Sequence, residues 1–75
     1  MTTGERLMKL REQLGISREA LAERLHVTAQ AVSLWEADRA VPTVENLLLL
    51  KEVLGVPIDR ILCDDGGEAS RYNAT

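Results

Sequence analysis

The stretch SREALAERLHVTAQAVSLWEA, from Ser17 to Ala37, decides the fold. Ser17 and Thr28 both carry a side-chain oxygen suited to accept a hydrogen bond from a free N–H at a helix start. Each follows an apolar residue that can fold back on a later one, Ile16 on Leu21 and Val27 on Val32, which is the hydrophobic-staple pattern. The two caps stand eleven residues apart. That spacing leaves room for a helix of about two turns, a turn of about three or four residues, and a second short helix. The second helix turns Ala29, Gln30, Ser33, Leu34 and Ala37 outward, a face without charge.

Working outward, the apolar periodicity is helical and no alternating strand pattern occurs. Thr3 is expected to cap a first helix reaching about Leu14, stopped by Gly15, with Leu7, Leu10 and Leu14 as its buried stripe. Helix two should bury Leu21, Ala22 and Leu25, and helix three Val32 and Trp35. After the loop Asp38 to Pro42, Thr43 caps a fourth helix that Gly55 ends, with Leu47, Leu50 and Leu54 on one face. Pro57 suits the first turn of a short fifth helix ending near Leu62. From Cys63 the sequence is polar, beginning with Asp64-Asp65-Gly66-Gly67-Glu68, and a frayed tail is expected. The expectation is an all-α, compact five-helix bundle over residues 1–62, followed by a tail over 63–75.

Composition narrows the function classes. A chain of 75 residues makes one small domain, and a domain of this size buries only around 60% of its unfolded surface. Trp35 and Tyr72 are the only aromatics, so the core is aliphatic. The single cysteine, Cys63, excludes an internal disulfide and suits a reducing compartment. No apolar run has the length of a membrane span and no signal-peptide core opens the chain, so a soluble cytoplasmic domain is expected, with no membrane partner. One His and one Cys form no metal-ligand cluster, and there is no Gly-rich phosphate loop or Ser/His/Asp set. No enzyme activity, cofactor or metal is expected. Asp64-Asp65 reads as a solvated pair of acids.

The net charge of −3 is unusual for a nucleic-acid binder, but its distribution is uneven. Residues 1–26 carry a net +1, residues 27–44 a net −1, and residues 45–75 a net −3. Acidity is concentrated away from the two capped helices. Weak non-specific affinity for DNA follows, since that component comes from neutralising phosphates.

Two charges fall where apolar residues are expected. Arg11 lies between Leu7 and Leu14 on the inward side of helix one, and Glu36 follows Trp35 on the inward side of helix three. An unpaired buried charge is costly, so the economical arrangement is a mutual ion pair locking the two helices. The alternative is that each snorkels separately to water. The unbroken run Leu47 to Leu50 raises a similar question, because one helix face cannot hide all four. Leu49 is expected to point away from the stripe. With Ile58, Ile61 or Cys63 it makes a candidate surface for self-association, with Leu49, Ile58 and Ile61 as the candidate interface residues.

Two capped helices around so short a turn form a helix-turn-helix, whose second helix enters the DNA major groove. From Gly4-Glu5-Arg6-Leu7 through Leu62 the chain resembles the Xre family of phage-repressor and Cro-type domains. The matching words are Leu14-Gly15-Ile16-Ser17, Leu21-Ala22-Glu23-Arg24-Leu25, Ala31-Val32-Ser33, Trp35-Glu36, Pro42-Thr43-Val44-Glu45-Asn46-Leu47 and Leu54-Gly55-Val56. Each word is weak alone, and their order and spacing together are specific. The resemblance implies a five-helix bundle of the phage lambda repressor-like DNA-binding type that binds operator DNA as a homodimer. It also implies the Arg11–Glu36 pair, which many members carry at these places.

Carried over by position, the resemblance assigns base contacts to Ala29, Gln30, Ser33 and Leu34, and phosphate contacts to Ser17, Arg18 and Arg39. The chemistry agrees in part. Gln30 can span the N6 and N7 edge of adenine, for about 1–3 kcal/mol of discrimination. A helix start and the Arg18 guanidinium both suit a phosphate. Arg18 also reads as a plain surface charge and Gln30 as an ordinary exposed helix residue. The family often has glutamine at Arg18, which weakens any side-chain relay to Gln30. Ala29 and Leu34 stand where polar or basic residues are common, and both can touch a thymine methyl. Leu34 equally reads as a protein contact or an idle surface leucine. His26 and Asp38 replace frequent glycines and are expected at positive φ.

The implied function is sequence-specific binding of double-stranded operator DNA by a small transcriptional regulator, most simply a repressor. The alternative is a protein-interaction module on the same fold, such as an antitoxin-like or anti-repressor partner, with a toxin or an anti-repressor as its protein partner. The length leaves no room for a sensing domain after the bundle, so control is expected through dimerisation, degradation or a partner.

Overall fold

The computed structural model describes residues 1–62, which form α1 (Thr3–Gln13), α2 (Arg18–Leu25), α3 (Ala29–Glu36), α4 (Val44–Leu54) and α5 (Ile58–Leu62). The expected tail over 63–75, with Cys63, lies outside the described residues. Side-chain caps start α2, α3 and α4. Ser17 Oγ accepts from the Ala20 N–H at 3.0 Å, Thr28 Oγ1 from Ala31 at 3.1 Å and Thr43 Oγ1 from Asn46 at 3.1 Å. Each satisfies one of the orphan donors of a helix start, for about 1 kcal/mol.

The first helix departs from expectation. Its cap is Thr2, not Thr3: Thr2 Oγ1 accepts from the Glu5 N–H at 3.1 Å and the Glu5 carboxylate accepts from the Thr2 N–H at 2.9 Å. This reciprocal capping box needs a glutamate or glutamine at the third helical position. Starting at Thr2 puts Glu5 there, whereas starting at Thr3 would put Arg6 there. Thr3 instead donates its hydroxyl to the Leu62 carbonyl at 3.3 Å, tying the start of α1 to the end of α5.

Four helices end through a residue in the left-handed region: Gly15 (φ 72°), His26 (φ 60°), Asp38 (φ 60°) and Gly55 (φ 69°). After α2 the Val27 N–H donates to the Ala22 carbonyl at 3.0 Å, and after α3 the Arg39 N–H donates to the Leu34 carbonyl at 2.9 Å. These wide closures are Schellman ends, which turn the chain sharply and satisfy the last carbonyls. At two of the four corners the sequence uses a side chain where glycine would be unstrained, as expected for His26 and Asp38.

The core is aliphatic apart from Trp35. Leu7, Leu21, Leu25, Val32, Leu50 and Ile61 are its most deeply enclosed side chains. In it α2 packs on α3 and α4, while α5 closes against α1 and α4. Leu14 does not complete the stripe of α1. It sits at the helix end, half exposed, because the chain turns away at Gly15. Gly4 and Arg11 are buried on that face instead.

The leucine run of α4 also sorts differently. Leu49 is partly buried against the core, and Leu48 is the exposed member. At about 100° per residue Leu48 lies roughly 160° from Leu50, on the far side of the helix, while Leu49 lies only about 100° away. Ile61 is fully buried within its own bundle and Ile58 is partly so. Ile61 is therefore unavailable to a partner, and Leu49 is mainly a core-flanking residue.

Candidate nucleic-acid interface

Three features fix the direction in which α3 presents its outer face. Thr28 caps its start, Val32 and Trp35 bury its inner side, and its last residue, Glu36, is clamped by two arginines. Arg11 Nε donates to Glu36 Oε2 at 2.6 Å and Arg11 Nη2 to Oε1 at 3.3 Å. Arg11 Nη1 also donates to the Ile16 carbonyl at 2.8 Å, so the same guanidinium pins the turn between α1 and α2. From the start of α2, Arg18 Nε reaches Glu36 Oε1 at 2.8 Å. One carboxylate thus joins three helices.

The Glu36 side chain is only 3% exposed. Burial is the largest single influence on its carboxyl and acts to raise the pKa. The hydrogen bonds and positive charges of Arg11 and Arg18 outweigh it, and the group is held below the usual glutamate value. The Arg11 guanidinium is raised in turn, chiefly by its hydrogen bond to Glu36. Among the described residues no buried side-chain N or O lacks a hydrogen-bond partner. The lock is electrostatically closed on its inner side.

A second junction holds the same end of α3. The Gly4 N–H donates to Asp38 Oδ1 at 2.9 Å, so Asp38 caps the first turn of α1 from the loop after α3. A methyl group at Gly4 would meet the Trp35 and Glu36 carbonyl oxygens at 2.5 Å. Only a hydrogen fits where α1 crosses the end of α3. Neither contact was visible in the sequence, because Gly4 and Asp38 stand 34 positions apart.

The outer face of α3 is open. Gln30, Ser33, Leu34 and Ala37 are exposed, whereas Ala29 is partly buried against the core. Spaced one, four and five positions apart, Ala29, Gln30, Ser33 and Leu34 share one side of the helix. Ser17 is exposed at the start of α2; its hydroxyl oxygen is used by the cap, which leaves the O–H free to donate outward. Arg39 is exposed in the following loop, drawn back toward Leu34 by its backbone bond. Arg18 differs from a freely solvated charge. It is anchored through Nε while its side chain stays 46% exposed. No group of three or more His, Cys, Asp or Glu side chains that could hold a metal occurs among the described residues. No described helix is long and apolar enough to cross a membrane.

Comparison with known proteins agrees with this geometry. Over 62 residues the chain is 36% identical to the HTH-type transcriptional activator BcrR of Enterococcus faecalis, covering 83% of this chain and 30% of that protein. It is 37% identical over 62 residues to Repressor protein C2 of Salmonella phage P22, covering 83% of this chain and 29% of that one. The chain therefore spans about a third of the length of these curated relatives. Among solved structures, the P22 c2 repressor protein in complex with a synthetic operator superposes with a TM-score of 0.83 at 35% identity. That match covers 87% of this chain and 98% of the other. The sequence model of the helix-turn-helix family matches residues 7–61, from the first core leucine of α1 to the buried isoleucine of α5, and the chain belongs to this Xre-type helix-turn-helix family.

Proposed function

We propose that the chain is the DNA-binding module of a cytoplasmic transcriptional regulator that reads operator DNA with α3 in the major groove. The reading rests on one observation above the others. The fold, with the outer face of α3 open, superposes on a repressor solved on its operator. Gln30 is the main hydrogen-bonding reader, suited to adenine, with Ser33 beside it; Ala29 and Leu34 supply apolar contact to thymine methyls. Ser17, Arg18 and Arg39 take backbone phosphates, which set register without carrying sequence information. With so few polar handles, DNA shape and deformability share the discrimination.

Operator reading is proposed for a homodimer, with half-sites about 34 Å apart. Supporting self-association, Val41, Val44 and Leu48 are 80%, 73% and 51% exposed and run from the loop into the first turns of α4. Occupancy of a promoter by such a dimer blocks transcription.

The test is selection from random DNA duplexes by the full chain, at low and at raised salt. A palindromic motif that survives the salt and is lost on Gln30→Ala is the expected result. Featureless binding that salt abolishes would leave the fold intact and the proposed reading wrong.

A further inference from the structure

Arg11, Glu36 and Arg18 form a set of two positive charges and one negative, and the surplus charge is not evenly shared. Arg11 is buried and uses three nitrogens, on both Glu36 oxygens and the Ile16 carbonyl. Arg18 uses only Nε, on Glu36 Oε1. Its two terminal nitrogens have no protein partner among the described residues, and the side chain is 46% exposed. A guanidinium gripped by one edge keeps its plane and presents the remaining donors as a fixed fork. What completes it is a single negative charge with two acceptor oxygens, the chemistry of a phosphodiester.

From this we infer that Glu36 is a positioning residue for phosphate capture, holding the Arg18 fork in fixed register with the reading face of α3. The inference rests on the proposed DNA-binding function and deepens it. Glu36 is the last residue of α3, and Arg18 the first of α2. A phosphate bound at Arg18 is therefore referenced directly to the helix that carries Gln30. A solvated arginine would supply the same charge and the same salt dependence, but would tolerate a sliding register. The Glu36 link adds discrimination in place of bulk affinity.

The test uses the full chain with Arg18→Lys, which leaves the Arg11–Glu36 pair in place, and Glu36→Gln, which keeps an acceptor but removes the charge. Each is checked for folding by circular dichroism and measured on the selected motif and on a scrambled duplex across a salt series. Arg18→Lys is expected to keep the salt slope while the ratio of specific to scrambled binding falls about tenfold, because an ammonium is a point charge without a fork. A folded Glu36→Gln should behave likewise. If Glu36→Gln does not fold, protection of the Arg18 Nε–H on the selected duplex decides, since it reads the Glu36 link directly in the wild-type chain. The second readout is the Arg18 Nε–H resonance in NMR: expected to stay protected from solvent exchange in the free chain and on the selected duplex. Inorganic phosphate is added as a separate arm and is expected to leave that resonance in place.

An unchanged specificity ratio in Arg18→Lys overturns the inference while leaving DNA reading intact. So does loss of Nε–H protection on DNA, which would mean that Arg18 leaves Glu36 for the phosphate. A wild-type chain that selects no motif removes both the inference and the function beneath it, and is recognised by that failure alone.

Discussion

The two halves of α3 are held by different means. Its final turn is gripped from three sides: Arg11 and Arg18 meet on Glu36, Trp35 is buried, and the Gly4–Asp38 contact presses α1 against the last carbonyls. Its outer face, from Gln30 to Leu34, makes no side-chain hydrogen bond within the described residues. Stability is concentrated where the helix is anchored, and exposure where it would be read. A helix anchored at its last turn can change its reading face with little effect on the fold, and substitutions at the two places should differ sharply.

The largest effect is expected for Glu36→Ala. It strands Arg11 as an uncompensated buried charge and should cost about 3–5 kcal/mol in urea denaturation. A loss below about 1 kcal/mol would mean that the lock is decorative and the contrast unfounded. Gly4→Ala comes next. Its methyl has to push backbone oxygens aside, and a destabilisation of about 2–3 kcal/mol is expected by thermal melting. Restored stability in a variant that also shortens Asp38 would point to the side chain, not the backbone, as the obstacle.

Acid provides a milder probe of the same end. The Glu36 carboxyl is held below its unfolded value, so its contribution is present above about pH 4.3 and lost as pH falls through the folded value. Unfolding midpoints should therefore drop on acidification, with a smaller drop in Glu36→Gln. Parallel pH profiles in the two proteins would assign acid sensitivity to other carboxylates. Smallest of all, Gln30→Ala should move stability by less than about 0.5 kcal/mol while weakening DNA discrimination. A large loss of stability there would reveal that the reading face is also structural.

Local signals made most of the fold legible. Ser17, Thr28 and Thr43 act over three residues each, so their chemistry is contained within the segment that displays it. The Thr2 capping box is equally local: Glu5, three positions after Thr2, announces it, while Thr3 beside it offers the same hydroxyl and so the competing start. The exposed leucine is also encoded locally, in the helical angle that separates Leu48 from Leu49.

The Arg11–Glu36 pair was legible because two charges on inward faces demand a partner. That Glu36 also takes Arg18 was not, since an arginine at an exposed helix start gives no sign of what its guanidinium reaches. The Gly4–Asp38 junction was hidden for a stronger reason. A close approach between distant segments leaves only a glycine and an aspartate in the sequence, each with many ordinary explanations. The candidate reading face was legible as a pattern of spacing, and its chemistry less so, because Ala29 and Leu34 carry no side-chain hydrogen-bonding group that would announce a target.

Trp35 gives the junction a consequence of its own. It is the single tryptophan of the chain, 6% exposed, and its carbonyl lies against Gly4. Its emission is thus a built-in gauge of how firmly α1 sits on α3, four residues' distance or less from every exposed position between Ala31 and Ala37. A spectrum that stays blue and unchanged when duplex is added marks a helix that delivers its face without yielding at the root. A red shift records the junction opening as the groove is filled.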